Sequence, residues 1–138
     1  QNKILKLIRL KETQLGFKIN NLTIADENIS ISSILPQCRL LIGLNSLTLV
    51  EAKILSLPII SPIFPEIEKY EEFFLFTKYY NDVIKISRSA HEFRLQIENN
   101  LNNEIKHDFN NKTKQFIIDF FGYTDGKNSE RCIKFLLN

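Results

Sequence analysis

The sequence predicts an α/β fold, a Rossmann-like parallel sheet of about four or five strands flanked by helices, with a helical C-terminal extension. Three observations predict it. Residues 39–42 and 57–60 are too apolar to have a solvated face, which is typical of central parallel strands covered on both sides. The segment between them, 47–55, spaces its apolar residues as a helix does. From residue 87 onward the pattern is helical only.

The first half of the chain supplies the sheet. Residues 3–10 are apolar without a decisive period, and residues 22–25 are a short strand candidate. Polar residues 26–30 can cap a short helix that Pro36 ends or bends. The order strand, helix, strand over residues 39–60 is one βαβ unit, for which we expect a right-handed crossover.

The second half is predicted to be mostly helical. Residues 66–80 are predicted as an irregular loop with helical pieces, and residues 82–86 as the last strand. Asp125–Gly126 predicts a tight or left-handed turn, after which Asn128 or Ser129 is expected to cap the last helix. The three predicted helices span 90–102, 104–121 and 128–137.

Composition limits the possible functions. A chain of 138 residues with 43% hydrophobic and 25% charged residues fits one globular core, so residues 1–138 are predicted as a single domain. The net charge of +2 argues neither for nor against a nucleic-acid partner. No basic run is interleaved with aromatics, so we expect no such partner. No apolar stretch reaches the roughly 20 residues that a transmembrane helix needs. Because the chain starts with Gln1 rather than Met, we expect a fragment or a processed product.

The cysteines and histidines predict no metal centre. Cys38 and Cys132 are far apart in apolar contexts, which favours buried free thiols of a cytoplasmic protein. His91 and His107 have no neighbouring ligand at metal spacing. His91 is interpreted as a structural histidine on an amphipathic helix. His107 and Asp108 are adjacent in a predicted helix, so their side chains point apart and an acid–base pair is not expected.

The sharpest constellation is the polar turn between the first central strand and the following helix. Gly43 would allow a close backbone approach at the carboxyl end of the strand. Asn45 or Ser46 is predicted as the N-cap, which would leave the amides of Leu47, Thr48 and the next residue free to face a ligand. Helix N-terminal amides and the positive end of the helix dipole favour phosphate oxygens.

Glu51 lies one turn into the same helix. Its carboxylate could accept hydrogen bonds from ribose hydroxyls. Thr48 and Glu51 also have the spacing of a capping box, and caps of this kind are ordinary features of helices without ligands. The residues alone therefore leave both a ligand site and a plain helix start open.

The segment 21–62 resembles the nucleotide-binding half of GT-B glycosyltransferases that build bacterial capsules, teichoic acids and other surface polymers. Asn45–Ser46, Glu51–Ala52 and Pro58–Ile59–Ile60 match in order and spacing. The tail also resembles a C-terminal segment common in that group, through the matching residues Asp125, Gly126, Ser129, Glu130 and Arg131.

The resemblance implies a donor-nucleotide site lined by Asn45, Ser46, Thr48 and Glu51, with Glu51 as the ribose partner. It also implies that Ser30 and Ser32 lie near the base or the diphosphate. Many relatives carry a Lys-x-His-Pro stretch after an earlier strand. The corresponding residues 6–9 lack the His and the Pro, which leaves a cationic role for Lys6 or Arg9 open and implies altered or lost transferase activity.

The resemblance therefore implies a donor-binding domain that works with an N-terminal Rossmann-like half, a nucleotide-activated sugar or polyol phosphate donor and a polysaccharide acceptor. This chain alone is expected to be inactive and to need no cofactor. Its expected location is the cytoplasm or the cytoplasmic face of the inner membrane. Association with the membrane would be peripheral and would use parts of the protein outside this chain. The alternatives are a CDP-glycerol-type polyol-phosphate transferase half, an epimerase-like domain and a non-catalytic Rossmann-like module. Epimerases favour a Gly-Gly turn with paired acidic residues, which residues 44–52 lack.

Overall fold

The computed structural model describes residues 2–16, 18–23, 25, 28–103 and 110–136. The chain divides into two compact units, Gln1–Ile34 and Leu35–Asn138. No helix in these described ranges combines the length and the apolar composition needed to cross a membrane.

The first unit contains helix α1 (Asn2–Leu15) and the short helix α2 (Ile31–Ile34). Residues 6–9 lie within α1, and Arg9 forms an ion pair with the buried Glu12. Glu12 also accepts a hydrogen bond from the Ile19 amide at 2.6 Å. The Arg9 hydrogen bond and the Ile19 amide lower the pKa of Glu12. This carboxylate therefore fastens the chain after α1 back onto the helix.

The predicted strand at 22–25 is not present in the described part of that segment. Residues 22, 23 and 25 are irregular, and Ile24 lies outside the described residues. Leu22 is half-buried and residues 23 and 25 are exposed, so none of the described residues of this run is buried as a covered strand would be.

The second unit contains an open, fully parallel sheet in the order β1-β2-β3. Its strands are β1 (Leu41–Ile42), β2 (Ile59–Pro62) and β3 (Lys85–Ser87). The α/β class is thus confirmed, but the described residues contain three strands rather than the predicted four or five. Residues 39–42 were expected to form a covered central strand. In the structure β1 is an edge strand, and Ile42 is 47% exposed.

The predicted helices are present in the second unit with shifted ends. Residues 66–80 are an irregular segment with helical pieces, as expected, and helix α6 (Ala90–Asn102) has the predicted bounds. Helix α7 (Asn111–Phe121) begins at Asn111 rather than at residue 104, because the Asn110 side chain caps it by accepting from the Thr113 amide. Residues 104–109 lie outside the described part. The helices are α3 (Thr48–Ile54), α4 (Pro65–Glu68), α5 (Leu75–Tyr79), α6 (Ala90–Asn102), α7 (Asn111–Phe121) and α8 (Asn128–Leu136), with 3₁₀ turns at Leu35–Gln37 and Glu71–Phe73.

Both faces of β2 are covered. Because successive strand residues point to opposite faces, Ile59 and Ile60 lie on different sides of the sheet. Ile59 belongs to the main apolar cluster, which includes Phe116 of α7 and residues of α3 and α5, whereas the fully buried Ile60 does not. Helix α6 packs against β2 and β3. Gln96 of α6 donates to the Ile86 carbonyl at 3.1 Å, which ties this helix to the strand backbone.

The predicted free thiols differ in exposure. Cys38 and Cys132 are both free. Cys38 is half-buried, but Cys132 is exposed on α8, so the prediction of burial is wrong for Cys132. The prediction rested on the usual burial of cysteine, and residue type does not show that helix α8 leaves much of its surface uncovered.

Candidate functional site

The polar turn predicted as a ligand site follows β1 at the carboxyl edge of the sheet. The Gly43 amide donates to the Ile60 carbonyl at 3.2 Å and continues the pairing of β1 with β2. A Cβ atom on Gly43 would lie 3.0 Å from Leu49 Cδ2. Leu49 is a core residue of α3. The glycine therefore makes room for the packing of α3 against the strand end.

The start of α3 differs from the prediction. Leu47 occupies the N-cap position with helical backbone angles and no side-chain cap, so the expectation of Asn45 or Ser46 there is wrong. The Ser46 hydroxyl accepts from the Thr48 amide at 3.2 Å, and the Ser46 carbonyl accepts from the Leu49 amide at 2.9 Å. Two of the three amides expected to face a ligand are thus engaged within the turn.

Asn45 connects the polar turn to a distant segment. Its Nδ2 donates to the Phe73 carbonyl at 3.2 Å, which joins the turn to the end of the 3₁₀ turn Glu71–Phe73. Phe73 is 63% exposed and Leu47 is 54% exposed. Asn45 therefore orders two loops at one edge of the sheet.

Glu51 is the residue of this group whose environment is incomplete. It lies in the first turn of α3 and is half-buried, yet its Oε2 atom is buried and has no hydrogen-bond partner among the described residues. Thr48 is the first residue of the helix, so the pair does not form the capping box that its spacing allows. A buried polar oxygen left unsatisfied costs about 1–3 kcal/mol, and such groups often mark a bound ligand or water.

Ser30 and Ser32 belong to the first unit. Their hydroxyl oxygens lie 2.7 Å apart, and both residues are exposed. The Ser30 carbonyl accepts from the Ser33 amide at 3.1 Å and from the Ser33 hydroxyl at 2.7 Å. These bonds build the start of α2. The residues from Gly43 to Glu51 are brought together in one turn, whereas the two serines are part of the other unit.

The tail motif folds onto itself. Asp125 accepts hydrogen bonds from both terminal nitrogens of Arg131, with Nη1 at 2.9 Å, and from the Lys127 amide at 3.0 Å. The Arg131 hydrogen bond is the main cause of a lowered pKa of Asp125. Gly126 has φ +75°, which confirms the predicted left-handed turn. The matched residues Asp125, Gly126 and Arg131 therefore have a structural explanation.

The predicted cap of α8 is wrong. The helix begins at Asn128, so both Asn128 and Ser129 are helical. The Asn128 side chain donates to the Phe121 carbonyl at 2.7 Å, which ties the helix start to the end of α7. Asn128 is a residue type that often caps helices, but here its side chain bonds a residue of the preceding helix instead.

Other residues weighed in the sequence are spread over the surface. His91 is exposed on α6. His107 and Asp108 lie outside the described residues. Within the described ranges no group of three His, Cys, Asp or Glu side chains could hold a metal ion.

A concave site was missed by the sequence reasoning. Its volume is about 370 Å³, and its lining comes from the Glu71–Phe73 turn, α5 with the segment after it, and the end of β3. The residues are Glu72, Thr77, Lys78, Asn81, Ile86 and Arg88. One signal could have found it, since Arg88 follows a predicted parallel strand and ligands bind outside the carboxyl ends of such strands.

Comparisons of the chain with protein-family models, with curated proteins and with solved structures find no match.

Proposed function

We propose that this chain is the donor-nucleotide-binding half of a GT-B-like transferase of bacterial surface polysaccharide synthesis, with a Rossmann-like second unit. The order of the Asn45–Ser46 turn, the Glu51–Ala52 helix and the Pro58 strand supports it. So does the parallel β1–α3–β2 arrangement, with its polar turn at the carboxyl edge of the sheet. Its ligand is a nucleotide-activated sugar or polyol phosphate, and its acceptor is a growing polysaccharide.

The observation that carries this proposal is the unpartnered Oε2 atom of Glu51. A ribose hydroxyl donates to a carboxylate, and such a bond would remove the cost of leaving that oxygen unsatisfied once the Glu51 side chain rotates to expose Oε2, which is buried in this structure. Because Glu51 lies in the first turn of α3, a nucleotide held there by its ribose has its phosphates near the polar turn.

The phosphate contacts would come mainly from hydroxyl groups. The Thr48 and Leu49 amides are occupied by Ser46. The Ser46 hydroxyl donates to Thr48 Oγ1 at 3.1 Å, which leaves the hydrogen of the Thr48 hydroxyl to donate to a phosphate oxygen. Such a donor would stabilise the negative charge that develops on the departing nucleotide phosphate.

No residue of this chain is assigned as the catalytic base, which the proposal places on an N-terminal Rossmann-like half. Residues 6–9 are helical and contain neither His nor Pro. We therefore expect nucleotide binding without turnover by this chain alone. A CDP-glycerol-type half would differ in donor preference and would show the same dependence on Glu51.

The occupied amides also support a second candidate, a Rossmann-like module without a nucleotide. A phosphate usually binds to free backbone N–H groups at a helix start, and two of those at α3 are already used. Such a module would keep its fold and bind no donor.

Calorimetric titration with CMP, CDP and UDP separates the two candidates. The donor-site proposal predicts binding of at least one of these nucleotides. Glu51→Ala should weaken that binding by about 10-fold, the equivalent of one charge-assisted hydrogen bond. Glu66→Ala is the matched control, because Glu66 is also an acidic residue in the first turn of a short helix and is exposed. Absence of binding at millimolar nucleotide, with the fold intact, would contradict the proposal.

A further inference from the structure

The concave site beside β3 is large enough to hold a small molecule. Its volume of about 370 Å³ lies within the range of roughly 300–1,000 Å³ that is typical of ligand pockets. It takes residues from three separate segments, so a ligand there would contact side chains that only the fold brings together.

The position of Arg88 is fixed by its neighbours. It follows the last residue of β3, and its amide donates to Glu92 Oε2 at 2.7 Å. Ser89 caps α6 by accepting from the Glu92 amide at 3.1 Å. The guanidinium lies 3.6 Å from Glu68 Oε1, an ion-pair distance longer than a typical hydrogen bond. Arg88 is therefore a cation at the carboxyl end of a parallel strand, with its backbone held by Glu92.

The lining carries two cations and one carboxylate, namely Lys78, Arg88 and Glu72. Lys78 lies on α5 with its Nζ atom 5.3 Å from the centre of the Tyr79 ring. Thr77, which is 1% exposed, donates its hydroxyl to the Phe74 carbonyl at 3.0 Å, so its oxygen can accept a further bond. The site therefore combines attraction for an anion with several acceptors for hydroxyl groups.

We propose that this site binds the phosphate monoester of a sugar or polyol. The phosphate pairs with Lys78 and Arg88, since two nearby cations favour a dianion. The ester's hydroxyls donate to Glu72 and to the side-chain carbonyl of Asn81, and Ile86 contacts the carbon skeleton. Inorganic phosphate lacks these carbon-bound hydroxyls and has only its own P–OH hydrogen to donate to Glu72. This site contains none of the residues from Gly43 to Glu51, and the inference does not depend on the proposed nucleotide site.

An NMR titration of the full chain at low salt tests this inference, with glycerol 3-phosphate, inorganic phosphate and glycerol as separate probes. We expect glycerol 3-phosphate to shift the Thr77 amide and Ile86 methyl signals and to bind more tightly than inorganic phosphate. Glycerol should bind much more weakly than either. Shifts confined to Ser46 and Thr48 would overturn this inference while supporting the nucleotide site, and an absence of shifts at millimolar ester would overturn it as well.

Charge variants identify the residues responsible. Lys78→Gln should weaken glycerol 3-phosphate binding by about 5-fold, the upper effect of one exposed ion pair. Lys69→Gln is the matched control, because Lys69 also lies over the adjacent tyrosine ring, at 5.0 Å, and does not line the site. Equal weakening by both variants would mean general surface attraction and would overturn the assignment.

Glu72→Gln tests the hydroxyl contacts separately. Glu72 is exposed, so its replacement should leave the fold intact. The variant should lose most of the preference for glycerol 3-phosphate over inorganic phosphate, because the glutamine amide is a weaker acceptor for the ester's hydroxyls than the carboxylate is. An unchanged preference would overturn the role of Glu72 in the site.

Discussion

Replacing Glu51 by methionine should make the protein more stable while removing the proposed ribose contact. Methionine has a similar length and is a good helix former. Removing a buried oxygen without a partner should stabilise the fold by about 1–3 kcal/mol. Loss of a carboxylate from the first turn of α3 should destabilise it by about 0.3–1 kcal/mol. The net expectation for Glu51→Met is a gain of about 1 kcal/mol in the free energy of unfolding.

Urea unfolding followed by circular dichroism measures this change. The midpoint should rise for Glu51→Met with an unchanged slope, since the same surface is exposed on unfolding. Glu66→Met is the control: it removes an exposed acid from the first turn of α4 and should lose about 0.3–1 kcal/mol. A loss of more than about 1 kcal/mol in Glu51→Met would refute the reasoning, because the carboxylate would then have a structural partner of ordinary strength.

Three further predictions concern the core, a cap and a hydrogen bond. Phe116→Ala should lose about 3–5 kcal/mol in urea unfolding, because this fully buried ring packs edge-on against Phe76 and Tyr80. Ser89→Ala should lose about 1 kcal/mol by removing the cap of α6, and the exposed Ser129→Ala should change stability little. The hydrogen bond to Asp119 raises the pKa of Tyr80 from 10.0 to about 12, so the folded state holds this proton more tightly than the unfolded state. Stability should therefore fall between pH 10 and pH 12, less steeply in Tyr80→Phe, and parallel curves for the two proteins would contradict the assignment.

The local patterns predicted most of the second unit. The run 57–60 marks a strand covered on both faces, and the helical spacing of residues 90–102 gives the bounds of α6. These predictions are confirmed because burial of one face sets the spacing of the apolar residues, and that spacing can be seen within each segment. The edge position of β1 was not predictable in this way, since it depends on which strands lie beside it.

The caps and the cavity needed the tertiary structure. Asn45 and Asn128 have the side chains of helix caps, but their amides bond the carbonyls of Phe73 and Phe121 in other segments. The conformational propensity of asparagine indicates a turn or a helix start, but it does not show which group the side chain will bond. The site beside β3 is assembled from three segments, so its charges do not form a motif along the chain. The sequence identifies Glu51 as an acidic residue one turn into helix α3. That its Oε2 atom is buried without a partner depends on the packing around it.

The most direct test of the proposed function is an NMR titration of the full chain with CDP and UDP, compared with the Glu51→Ala variant. The donor-site proposal predicts shifts of the Ser46, Thr48 and Glu51 amides that saturate with one nucleotide per chain, and a roughly 10-fold weaker affinity in the variant. Saturable binding with unchanged affinity in the variant would contradict the role of Glu51. No shift in this turn at millimolar nucleotide, in a folded chain, would contradict the donor site itself.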